Sequence, residues 1–160
     1  MKPDLLLGIG NILMGDDGAG VRAVEWLRAN ADPLPSGTEL LDGGTAGHDL
    51  LPLLQGRERI VIIDAAVTND APGTVRLFHP HELTGNSNPF SLHQAGILEV
   101  LKLLSLTGHT PEVRLITITA GEFGGELRLS LSPAVERAVP DAARRAIKLL
   151  KTPSELINQG

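Results

Sequence analysis

The sequence predicts an α/β protein: a single-domain three-layer sandwich with a five-stranded, mostly parallel sheet, one antiparallel strand and helices on both faces. Three observations predict it. Short apolar runs ending in turn residues alternate with amphipathic helical patterns, as in α/β folds. The run Arg59-Ile60-Val61-Ile62-Ile63-Asp64-Ala65-Ala66-Val67 is nearly continuous in apolar residues, as in a strand covered on both faces. The turn Thr68-Asn69-Asp70-Ala71-Pro72-Gly73 is too short for a parallel crossover, which needs about a dozen residues. The strand after it must therefore reverse, at an edge of the sheet.

The elements follow in order. Residues 4–10 read as a buried strand with glycine at its end. A helix over about 17–30 puts Val21, Val24 and Leu27 on one face and turns Arg22, Glu25 and Arg28 away. A second strand covers 39–42, and a short helix 47–55. The strand at 59–67 is the third, and 74–78 is the reversed fourth. Residues 80–90 are a polar loop. Ser91 is placed to cap a helix over 92–106, whose apolar face is Ile97, Leu98, Leu101 and Leu104. The fifth strand runs over 113–120. Ser132-Pro133 opens the last helix as cap and first residue, with Val135, Val139, Ala143, Ala146 and Leu150 as its buried stripe. Pro140 is expected to kink or split that helix. One domain over 1–151 and a polar tail over 152–160 complete the chain.

Composition narrows the function. With 160 residues, 42% hydrophobic and 21% charged, the chain can bury a real core. It has no cysteine, which excludes disulfides, thiolate metal sites and cysteine nucleophiles. The net charge is −5 and no Lys/Arg run occurs, so nucleic acid is not expected as a partner. No apolar stretch approaches the ~18–20 residues of a membrane span. A cytoplasmic protein with no membrane partner is the expectation.

The residues that could do chemistry gather at strand ends, where open α/β sheets place ligands. Asp16 reads as a helix cap, and Asp17 either favours the positive helix terminus or points into a cleft. Asp64 closes an apolar run, where a carboxylate is costly unless paired or coordinated. Capping a neighbouring turn is its alternative reading. His93 is in the first turn of a helix, whose terminus favours neutral imidazole, the metal-binding form; a plain surface histidine is its alternative reading. Gly43, Gly44 and Thr45 follow Asp42; they leave room for a ligand at the backbone, or simply make a turn, with Thr45 available as a cap. His79 and His81 have the spacing of a metal pair but, in a polar loop with no acidic partner in register, read as exposed loop residues, as does His109. His48 and Glu122 are placed to line the cleft. There is no G-x-S-x-G elbow and no H-E-x-x-H. Gly8-x-Gly10 lacks the third glycine at dinucleotide spacing, because Gly15 lies two residues too far, and no phosphate-binding G-x-x-x-x-G-K-[ST] occurs.

Gly8-Ile9-Gly10-Asn11-Ile12-Leu13-Met14-Gly15-Asp16-Asp17-Gly18-Ala19-Gly20 fits G-x-G-N-x-L-x-x-D-D-G-x-G. That pattern resembles the N-terminal signature of the hydrogenase maturation endopeptidases. The likeness continues at Leu41-Asp42-Gly43-Gly44-Thr45-Ala46-Gly47, at Ile62-Ile63-Asp64-Ala65 and at His93-Gln94-Ala95-Gly96, in the family's order and rough spacing. Ala120-Gly121-Glu122 is a weaker match. The resemblance implies an aspartyl-type endopeptidase that trims the C-terminal extension of a [NiFe] hydrogenase large-subunit precursor. It implies Asp17, Asp64 and His93 as metal ligands, with Asp17 and Asp64 catalytic and Gly43, Gly44 and Thr45 in the binding cleft. Where some relatives carry glutamate, Asp17 is shorter and sets its carboxylate about one bond back.

Two carboxylates and one imidazole suit nickel or zinc with open coordination positions. The resemblance makes nickel the metal, supplied by the substrate as its recognition signal, with zinc or another divalent ion able to substitute. Either a carboxylate-activated water or a metal-polarised carbonyl, or both, then drives hydrolysis. The partner is the hydrogenase large-subunit precursor, and the enzyme is expected to be a monomer. Two other functions fit the same scaffold: a non-enzymatic nickel or maturation-complex binding module, and a small-ligand-binding α/β protein.

Overall fold

The computed structural model describes residues 2–30, 34–83, 92–122 and 125–153, and of residues 83 and 92–95 the backbone alone. The strands are β1 (Asp4–Ile9), β2 (Thr38–Gly44), β3 (Arg59–Ala66), β4 (Val75–Phe78) and β5 (Glu112–Thr119). The helices are α1 (Ala19–Ala29), α2 (Leu51–Leu54), α3 (Leu92–Leu106) and α4 (Pro133–Lys151). Short 3-10 turns at Gly15–Gly18, Gly47–Leu50 and Pro80–Leu83 link them.

The five strands form one sheet in the order β2-β1-β3-β5-β4. Three pairings are parallel; β4 alone is antiparallel, against β5, and lies at the edge as predicted. Alternation along the strands sends side chains to two cores. Leu6, Val61, Ile63, Ile116 and Ile118 meet α1 and α4 on one face. Leu5, Leu7, Ile60, Ile62 and Leu115 meet Leu50, Leu54, Ile97, Val100 and Leu104 on the other. The predicted three-layer sandwich is what the chain builds.

Several local expectations need correction. The first helix begins at Ala19, not Asp17, because residues 15–18 wind more tightly into a 3-10 turn that starts at Gly15 with φ +59°. The predicted 47–55 helix is a 3-10 turn followed by four α-helical residues. Pro140 does not split α4, which runs unbroken through it. Val135, Val139, Ala142 and Ala143 pack that stretch into the core on both sides of the proline, which offsets the single backbone bond it removes. Ser132 stands at the cap position of α4, but its side chain makes no capping bond. The tail beyond 153, the loop at 84–90 and the Ser91 cap lie outside the described residues.

One close approach positions the site. A Cβ on Gly20 would lie 2.1 Å from the carbonyl oxygen of Ile63 and 2.6 Å from that of Ile9. Only glycine lets the first turn of α1 sit directly on the backbones of β1 and β3. The 3-10 turn before α1 is thereby held against β3, beside its C-terminal end.

Candidate active site

The adjacent aspartates face in different directions. Asp17 is 8% exposed, and its Oδ2 accepts a hydrogen bond from the Asn11 N–H at 2.9 Å. Asp16 is fully buried and is not a helix cap. Its Oδ2 accepts from the N–H of Gly121 (2.8 Å), the N–H of Glu122 (3.0 Å) and the Ser132 hydroxyl (2.7 Å), while Oδ1 accepts from the Ser132 N–H (2.7 Å). Burial works to raise the Asp16 pKa. The bonds from Glu122, Ser132 and Gly121 favour the charged form, outweigh burial and hold the carboxyl below its ordinary value. Asp16 thus ties the loop before α4 to the turn that carries Asp17. Arg128 adds to the tie: its N–H bonds Leu13 O at 2.7 Å, and its carbonyl accepts from Gly15 N–H at 2.6 Å.

Asp64 is fully buried on central strand β3. Strand alternation puts it on the same face as Ile60 and Ile62, beneath α3. Its partner across the ladder is Thr117 of β5. His93 lies in the first turn of α3, at the same sheet edge; its side chain is outside the described residues. One turn later, Gly96 and Ile97 line a cavity of about 130 Å³ with Ile9, Gly44, Thr45 and Leu50. Asp17, Asp64 and the backbone of His93 therefore belong to one edge of the sheet, its C-terminal edge. Among the described residues no three His, Asp or Glu side chains cluster as a metal site.

Gly44 and Thr45 line that cavity and also an adjoining groove of about 340 Å³ with Gly10, Asn11, Leu13 and Asp42. Gly44 has φ +48°, and its N–H bonds Asp42 Oδ1 at 2.8 Å. Gly43 serves packing: a Cβ there would meet Leu7 Cδ1 at 2.8 Å. Thr45 caps nothing; Ala46 holds the cap position of the next turn without a side-chain bond.

His48 is exposed, with Nε2 3.5 Å from Glu99 Oε1 on α3. His79 and His81 are rings 5.2 Å apart on a surface turn. His109 is half-buried rather than exposed: Nε2 lies 2.6 Å from the Arg57 carbonyl oxygen, and because a carbonyl only accepts, that nitrogen carries the hydrogen. Glu122 is exposed, and its carboxylate is ion-paired with Arg128. Sequence reasoning missed Asn11 and Ser132 as partners of the two aspartates. The Gly10-Asn11 break gave a local signal for the first, and Ser132 was read as a helix start.

A doubly covered sheet that gathers three buried carboxylates, Asp16, Asp17 and Asp64, toward its C-terminal edge is the class of α/β protein that places ligands and reacting groups there. Residues 21–149 match the family model described as HycI, hydrogenase maturation protease, a span that contains Asp64 and His93. The chain belongs to the hydrogenase maturation protease family and is an endopeptidase. It is 37% identical over 149 residues to the hydrogenase 2 maturation protease of Escherichia coli, covering 92% of this chain and 90% of that one. It is 34% identical to the hydrogenase expression/formation protein HupD of Rhodobacter capsulatus, covering 89% of this chain and 71% of the relative. The solved structure of the hydrogenase maturating endopeptidase HybD from Escherichia coli superposes with a TM-score of 0.82 at 36% identity, over 94% of this chain and 93% of that one. No helix of the described residues is long and apolar enough to cross a membrane.

Proposed function

We propose that this endopeptidase removes the C-terminal extension of a [NiFe] hydrogenase large-subunit precursor, in the cytoplasm, after nickel has entered that precursor. The observation that carries the reading is the placement of Asp17 and Asp64, both buried and both at one sheet edge, in a chain whose relatives are hydrogenase maturation proteases. Nickel is part of the substrate. Asp17, Asp64 and His93 are the residues proposed to hold it, an oxygen and nitrogen set that suits nickel or zinc and leaves positions for the substrate's own ligands. The adjoining groove beside Gly44 and Thr45 accepts the peptide near the scissile bond. Asp17 and Asp64 are the groups that take a proton from the attacking water. The enzyme acts as a monomer on the precursor.

The test loads nickel separately onto enzyme and precursor, removes the excess and mixes each with a metal-free partner. Mass spectrometry of the released C-terminal peptide is the readout. Cleavage is expected only for the nickel-loaded precursor. Cleavage of metal-free precursor by metal-loaded enzyme would overturn recognition of nickel in the substrate and favour a conventional metallohydrolase. Binding of loaded precursor without any released peptide would make the chain a binding module on this substrate.

A further inference from the structure

Thr117 is the partner of Asp64 in the β3–β5 ladder. Paired residues of neighbouring strands put their side chains on the same face, and the strands lie about 4.8 Å apart. Thr117 is 2% exposed, and its hydroxyl has no hydrogen-bond partner among the described residues. The next threonine on that face is satisfied, because Thr119 Oγ1 lies 3.0 Å from Thr68 Oγ1. Further down the same face come Leu115 and Val113, fully in the core. A buried hydroxyl with no partner lowers stability, and valine would fill the same shape without that loss. Packing alone therefore gives no reason for a hydroxyl beside Asp64.

We propose that Thr117 is a positioning residue for Asp64. Rotation about χ1, which has more than one populated well in a strand, brings the hydroxyl to the Asp64 carboxylate. The hydrogen bond donated there fixes the orientation in which the carboxylate meets the substrate, and leaves its other lone pairs for that purpose. The hydroxyl keeps its hydrogen and does not touch the peptide. This inference rests on the proposed role of Asp64.

Thr117→Val and Thr117→Ser separate the possibilities when nickel-loaded precursor is processed and kcat, KM and melting temperature are measured for each. Groups that orient a ligating carboxylate change affinity or rate by about 10–100-fold. Thr117→Val is expected to melt at or above the wild-type temperature, to lose kcat in that range and to keep its KM. Thr117→Ser is expected to recover most of the rate. Wild-type kcat in Thr117→Val overturns the inference. So does a parallel fall of rate and melting temperature that serine does not separate, because that is a purely structural role. A rise in KM alone also overturns it, since the hydroxyl would then contact the peptide. If the wild-type protein itself leaves the loaded precursor intact, the proposed function falls and this inference with it. If only Thr117→Val is indifferent, the inference alone falls.

Discussion

Asp16 and Asp17 are consecutive, both buried, and chemically identical, yet they do different work. Asp17 accepts a hydrogen bond from the nearby Asn11 N–H, while Asp16 gathers four bonds from residues 105 to 116 positions away. Nothing local in the sequence distinguishes them, because the donors that claim Asp16 are brought in by the fold. The family signature singles out Asp17; Asp16 is no helix cap because its donors come from far along the chain, and Ser132, which does stand at the start of α4, gives its hydroxyl to Asp16 rather than to the helix. Removing the Asp16 side chain strands three backbone N–H groups and a hydroxyl, each worth about 1–3 kcal/mol when buried without a partner. Asp16→Ala is therefore expected to lose more than about 3 kcal/mol in urea denaturation at pH 7. The Asp16 pKa is lower in the folded chain than in the unfolded one, so the folded state binds fewer protons. Its contribution is complete above the ordinary value of 3.8 and drains away as pH falls through the folded value, so the gap between wild type and Asp16→Ala should narrow in acid. Asp64→Asn keeps the shape of the residue and removes its charge. It is expected to fold, by circular dichroism, and to process precursor about 10²–10⁴-fold more slowly, the range a positioned general base supplies. Unimpaired processing would move the chemistry away from β3.

The helices were legible wherever one face is buried, and misjudged where backbone geometry decides. The spacing of Val21, Val24 and Leu27 gave the inner face of α1, and the stripe from Val135 to Leu150 gave that of α4. Pro140 does not split α4, because the apolar face packed on both sides of it outweighs one lost backbone bond. The end of α4 has an unexpected clamp: Arg59 Nη1 donates to the carbonyls of Leu149, Leu150 and Thr152. Arg59 begins β3, at the edge opposite the aspartates. Arg59→Ala should therefore cost about 1–3 kcal/mol in thermal or urea unfolding while leaving kcat for the precursor unchanged. Gly20→Ala is the contrasting case. Its methyl would be driven into two backbone carbonyls, so α1 must lift from β1 and β3. A loss of about 3 kcal/mol or more is expected, together with slower processing, because the turn carrying Asp17 moves with the helix.

At the scale of the molecule, the class of fold and the reversed edge strand are readable from runs and turns, and the strand ends bring the candidate residues to one sheet edge. The strand order is not readable: no periodicity says that β5 enters between β3 and β4. That order sets a timetable. β4 is made before β5 but has no place in the sheet until β5 has docked on β3, and β5 also delivers Thr117 to Asp64. Gly121, Glu122 and Ser132, which hold Asp16, follow later still. Contacts of such long sequence separation close slowly, after local helices have formed. In refolding from urea, processing activity should return with the slowest phase, well behind the helical signal at 222 nm; simultaneous recovery would count against this order. A chain still leaving the ribosome thus displays every residue of the signature at its N-terminus and has no working protease, so the enzyme cannot act on a precursor before its own synthesis is nearly done.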